Sequence, residues 1–203
     1  MMHRNGPFAW EDREGMLAFV QDVAFSTIFI PAEDGAHFVH VPVVVHGPGA
    51  LRFHVARRNR AASVPDGARA FLSCMGPDAY ISPDWYGTPD KVPTWNYVVV
   101  EIEGCLRRLG EKELVAQLDA LSDDQEGRLA PKPAWTRAKM TPGRFEAMTG
   151  AIVGYELVID AMRGTRKLGQ NKAASEHEGS LAGLRALGRH DMADLMAAEF
   201  DAE

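Results

Sequence analysis

The sequence predicts an α+β protein whose core is an antiparallel, barrel-like β-sheet with helices gathered at its edges. Three features point there. Short apolar segments are joined by turns, helical spacing is confined to a few places near the ends and around residues 111–121, and the strand–helix–strand alternation of a doubly wound sheet is missing. With 203 residues, 46% of them hydrophobic and 25% charged, the chain can bury a core without a disulfide or a metal. A single domain over residues 1–203 is expected, ending in a helical segment at about 173–203.

Taken in order, residues 9–22 have the spacing of a short amphipathic helix, with Met16, Leu17, Phe19 and Val20 on one side. Phe25 to Ile30 and His37 to Val45 read as strands around a hairpin turn at residues 31–35. Ala50–Val55 is a third strand, and residues 56–63 a short helix. Arg69–Met75 leads into a stiff loop, PDAYISPDWYGTPDKVPTWNY, in which four prolines alternate with tyrosine and tryptophan. A long strand follows from Thr94 to Leu109. Glu111–Leu121 is helical, residues 122–142 read as a charged loop or lid, Arg144–Met148 as a short helix and Ile152–Ala161 as a strand. Two helices, Ser175–Ala186 and Met192–Ala198, close the chain around Gly188.

The net charge of −6 hides two acid-free islands. One spans residues 35–65 and carries Arg52, Arg57, Arg58 and Arg60. The other spans residues 161–172 and carries Arg163, Arg166, Lys167 and Lys172. Cations concentrated locally in an acidic protein suit a small anion such as a phosphate. An arginine fork after the strand RFHV offers bidentate phosphate contacts, or else a solvated strand end. Thr94 and Asn96 share one face of their strand, with Trp95 and Tyr97 on the other, so a polar heterocycle or a cross-strand pair would suit them equally.

Other chemistries find little support. His37 and His40 fall on opposite faces of a strand, and no zinc or facial-triad spacing accompanies them, so no metal is expected. No phosphate-binding glycine loop, dinucleotide fingerprint or nucleophile elbow occurs, and Ser73 and Ser82 lack an identifiable base. Cys74 and Cys105 read as reduced thiols of a cytoplasmic protein. Glu11, Asp12, Arg13 and Glu14 exclude a signal-peptide core, and the apolar runs are too short to cross a membrane.

The run GPDAYISPDWY at residues 76–86, followed by VPTWNY at 92–97, resembles the PaiB-type FMN-binding negative transcriptional regulators. HVP at 40–42, HVARRN at 54–59, GAIVG at 150–154, KLGQN at 167–171 and GLR at 183–185 extend the likeness over nearly the whole chain. The resemblance implies a split β-barrel of the pyridoxamine-phosphate-oxidase type and a homodimer with FMN at its interface. His54, Val55, Arg57 and Asn59 would approach the FMN, with Arg57 on the phosphate. Thr94, Trp95 and Asn96 would line the ring or ribityl chain, and Lys167 and Gln170 would close the site from either subunit. Gly169 and Lys172 depart from the serine and arginine common in the family, and the first strand lacks its usual Thr-Leu pattern.

Three functions then compete. The family label implies a regulator, but residues 173–203 carry seven acids against two arginines, which DNA phosphates would repel. Direct DNA binding is therefore unsupported by charge, whereas an indirect regulatory role stays open. A flavin oxidoreductase would use Trp85, Tyr86 and Tyr97 to stack a small-molecule substrate. Its catalytic acid or base is unassigned, although His40 is a candidate. A heme protein would need His54 or His177 as axial ligand.

Overall fold

A computed structural model describes residues 6–33 and 35–200. The strands are β1 (Ala9–Trp10), β2 (Phe25–Ala32), β3 (Gly35–Pro42), β4 (Val44–Val45), β5 (Ala50–Ala56), β6 (Arg69–Ile81), β7 (Thr94–Arg108) and β8 (Ile152–Lys167). The helices are α1 (Arg13–Val23), α2 (Glu111–Gly127), α3 (Arg144–Thr149), α4 (Ala174–Ala186) and α5 (His190–Phe200). One sheet runs in the order β3-β2-β6-β7-β8-β5-β4, with β1 paired to β8. Its end strands do not pair, so it stays open. Two compact units divide the chain: the first comprises Met1–Asp12, Met75–Val100 and Arg163–Glu203, the second Arg13–Cys74 and Glu101–Met162.

The second unit follows the two-residue period of its strands. Ser26, Ile28 and Ile30 of β2 turn inward, while Phe25, Thr27 and Phe29 turn out. On β5, Leu51, Phe53 and Val55 are buried and Arg52 and His54 are half-buried on the other face. Phe53 stacks on Tyr155 of β8 at 5.7 Å. The buried Tyr155 hydroxyl donates to the carbonyls of Ala61 and Val64, satisfying a 3-10 turn at Arg60–Ser63. Where β7 meets β8 the backbones come so close that a Cβ on Gly104 would lie 2.0 Å from the Val158 carbonyl oxygen. Only glycine fits there.

A polar layer lies between α2 and this sheet. Arg52 Nε donates to Glu156 Oε2 at 2.8 Å, and Arg107 reaches both Glu156 and Glu113. Glu113 also accepts from the Gly110 N–H at 2.9 Å, closing the first turn of α2. The Arg107 side chain, then the Gly110 amide, hold the Glu113 carboxyl down to about 2. Behind this layer, Leu114 of α2 enters the core.

In the first unit a 3-10 turn, Pro83–Tyr86, starts at Ser82, whose hydroxyl accepts from the Asp84 N–H, and ends at Gly87 with φ 64°. α4 packs on this turn. A Cβ on Gly183 would lie 2.4 Å from the Trp85 indole, and one on Gly179 only 2.0 Å from the Trp85 carbonyl oxygen. The two glycines form a slot for Trp85. The buried Glu176 of α4 pairs with Lys91 at 2.6 Å and accepts from Thr88 at 2.8 Å, fastening the proline loop. On α5, Glu199 pairs with Arg166 at 2.6 Å, and the Arg166 guanidinium covers Trp10.

Several boundaries differ from the sequence reading. Residues 9–22 are not one helix: Ala9 and Trp10 pair with Thr165 and Gly164, and α1 begins at Arg13. The strand expected over 37–45 is broken after Pro42, where the Val43 N–H turns to the Ala24 carbonyl. The 56–63 helix shrinks to one 3-10 turn. β6 continues six residues past Met75, and α2 extends to Gly127, leaving a shorter loop than expected. β8 runs on to Lys167 rather than ending at Ala161, so the acid-free island at 161–172 begins as strand.

Candidate functional site

The first unit holds a cationic corner built by the end of β8 and the start of β7. Lys167 Nζ donates to Thr94 Oγ1 at 2.5 Å and lies 6.0 Å from the centre of the Phe8 ring. Lys172, just beyond β8, sits 4.7 Å over the ring of the buried Tyr86. Burial, and then the neighbouring Lys172 charge, push the Lys167 ammonium below its ordinary value; no carboxylate among the described residues offsets them. Two ammonium groups and a hydroxyl, partly desolvated and without a counter-charge among the described residues, are suited to a doubly charged anion such as a phosphate monoester. Lys172, which the sequence places in an acid-free island and where the family commonly has arginine, belongs to this corner too.

An aromatic surface lies on the same unit. Trp95 is 51% exposed, meets Tyr80 edge-on at 6.0 Å and donates its indole N–H to Asp78 at 2.6 Å. Arg189 braces the end of β6 by donating to the Asp78 carbonyl. A flat exposed face held by two hydrogen-bonded supports can stack a planar ring.

Other expected site residues on this unit serve the fold. Asn96 is buried, and its amide donates to the Met196 sulfur at 3.5 Å beneath α5. Gln170 ties its own loop together, accepting from the Leu168 N–H at 2.9 Å and donating to the Arg166 carbonyl at 2.7 Å. Trp85 fills the glycine slot of α4, Tyr86 is buried under Lys172 and Tyr97 is half-buried. His177 is buried and stacks on Phe200 at 4.4 Å.

The second unit holds the other four. The half-buried His54 faces α2, its Nδ1 3.3 Å from Gln117 Oε1, and burial lowers its proton affinity. Val55 is core. Arg57 Nε donates to the Gly150 carbonyl at 2.7 Å and Nη2 to that of Ile152 at 3.0 Å, clasping the entry to β8. Asn59 caps the 3-10 turn through the Ala61 N–H. His40 Nδ1 is 2.9 Å from Thr27 Oγ1 across the β2–β3 pair. Cys74 and Cys105 are free thiols, and burial raises the Cys74 thiol.

An open antiparallel sheet of eight strands with peripheral helices defines the class of split barrels, and the first unit carries both an anion corner and an aromatic platform. Solved structures share the fold. The FAD and heme binding protein from Mycobacterium smegmatis superposes with a TM-score of 0.57 at 17% identity, over 78% of this chain and 73% of that one. The flavocytochrome Anf3 from Azotobacter vinelandii gives 0.54 at 14% identity, over 78% of this chain and 69% of its own. The chain belongs to the family described as "Putative FMN-binding domain", which matches residues 2–161. It is also similar to the protease synthase and sporulation protein PAI 2 of Bacillus subtilis, 27% identical over 177 residues, covering 84% of this chain and 83% of that protein. The PaiB-type resemblance and the split-barrel expectation are thereby borne out.

Proposed function

We propose that this protein binds FMN, with Lys167, Lys172 and Thr94 on the phosphate and Trp95 against the isoalloxazine ring. The observation that carries this reading is the pair of lysines that no carboxylate among the described residues offsets. A free ammonium pair repels itself, and the corner gains most when a phosphate neutralises both charges. Arg57 is a second phosphate candidate, through the guanidinium hydrogens that Gly150 and Ile152 leave unused. Asn59 and His54 are weaker candidates because Asn59 Oδ1 and His54 Nδ1 are engaged within their own unit.

We further propose a homodimer. Phe25 and Phe38 are 60% and 65% exposed on the outer face of the β2–β3 pair. Phe29 links Phe38 and Phe71 in one row across three strands, with ring centres 5.1 and 6.0 Å apart. An aromatic stripe of this kind is ordinarily covered by a partner. Two free thiols suit a reducing compartment, which supports a cytoplasmic location. No helix among the described residues is long and apolar enough to cross a membrane.

Regulation is read as indirect, through the flavin state, because the acids of α4 and α5 disfavour nucleic acid. The exposed Trp95–Tyr80 platform favours flavin-dependent redox chemistry on a small molecule as a second reading. Fluorescence titration of the apoprotein with FMN tests the main proposal. Saturable quenching in the wild type that weakens in Lys167→Ala supports it; indifference to the substitution refutes it.

A further inference from the structure

A cavity of about 650 Å3 opens at the tip of the β2–β3 hairpin, and every described residue lining it belongs to the second unit. None of the residues assigned above to the flavin lines it. Its volume falls in the range that holds a small molecule. Pro31, Val64 and Ala68 give it apolar walls, and its polar groups are Glu33, His37 and Ser63.

These three groups share one chemical character. Glu33 is a carboxylate. The Ser63 hydroxyl donates to the Arg60 carbonyl at 3.0 Å, so its lone pairs remain to accept. The His37 Nδ1 is sealed from solvent and has no hydrogen-bond partner among the described residues, so the ring nitrogen left to meet a ligand in the cavity is Nε2. A neutral imidazole presents one acceptor nitrogen. Among the described residues the lining contains no lysine or arginine. Three acceptors around one negative charge, backed by apolar walls, match a head group with several N–H donors on an apolar body.

We propose that this cavity binds a small primary amine whose ammonium faces Glu33, His37 and Ser63 while its apolar body lies on Pro31, Val64 and Ala68. An anionic ligand of equal size would meet Glu33 with like charge. The site acts independently of the flavin corner.

The test is titration of the full chain with 2-phenylethylamine, followed by calorimetry and by amide chemical shifts, with phenylacetate as the comparison of opposite charge. The amine is expected to bind saturably and to shift the amides of Ala32, Ser63 and Ala68. Glu33→Gln should weaken it about tenfold or more, and Ala68→Phe, which fills the cavity, should weaken it too. FMN titration checks that both variants are folded. The proposal is overturned by the absence of saturable binding at millimolar amine, by equal binding of phenylacetate, by shifts mapping elsewhere on the wild type, or by an affinity indifferent to both substitutions.

Discussion

Lys167 gathers the local physics of the candidate site into one side chain. Its ammonium is partly desolvated, hydrogen-bonded to Thr94 and close to Lys172. Lys167→Ala should therefore weaken FMN about tenfold or more, the scale of one lost charge-assisted bond. The sequence signalled this corner through an acid-free run and a strand start at Thr94. It could not show which member of the run would be paired elsewhere: Arg166 is taken by Glu199, while Lys172 lies over Tyr86. Arg57 was legible as a cation but not as a clasp, because its partners are carbonyls more than ninety residues away. Arg57→Ala should therefore lower both FMN affinity and the thermal midpoint, whereas Arg57→Lys, which cannot span both carbonyls, should recover little of the midpoint. A variant that loses affinity with an unchanged midpoint would contradict the clasp.

At the level of elements, the slot in α4 is the sharpest case. Gly179 and Gly183 have low intrinsic helix propensity, and Trp85 reads as a substrate platform. Their pairing, a tertiary contact between segments almost a hundred residues apart, was invisible to local pattern. Gly183→Ala raises intrinsic helix propensity yet places a methyl against the indole. Overpacking costs about 1–3 kcal/mol, so thermal melting should show a lower midpoint despite the better helix former. A rise would show that α4 does not need the slot.

The first turn of α2 yields a pH prediction. Glu113 is held at about 2 by Arg107 and the Gly110 amide, below its ordinary 4.5. A depressed carboxyl stabilises the fold above its unfolded value and loses that contribution as pH falls toward the folded one. Arg107→Ala should thus flatten the stability profile between about 4.5 and about 2, read from melting midpoints across that range. The longer reach of β6 and β8 has a related lesson. Gly76, Pro77 and the basic residues 163–167 look like loop by composition, but sheet pairing overrides such preferences.

For the whole molecule, the antiparallel open sheet was readable because two-residue periods, short turns and the missing strand–helix alternation all agreed. The long aromatic and proline motifs made the family readable as well. What stayed hidden was the assignment of each polar side chain: His54, Asn59, Asn96 and Gln170 spend their hydrogen bonds inside their own units, which only three-dimensional neighbours reveal. The phenylalanine row across β3, β2 and β6 was legible as alternation but not as an uncovered face. Phe38→Asp should shift the mass in sedimentation equilibrium from dimer to monomer with little change in folding, since Phe38 lies outside the core. A wild-type monomer at micromolar concentration would contradict the homodimer.

The central claim is that paired lysines beside Thr94 hold the phosphate of a flavin. It is tested most directly by comparing FMN with riboflavin, its phosphate-free parent, in binding titrations of the wild type and Lys167→Ala. Wild-type protein is expected to prefer FMN about tenfold or more, with the preference largely gone in the variant. Equal affinity of the wild type for both flavins, or a preference untouched by the substitution, would contradict it.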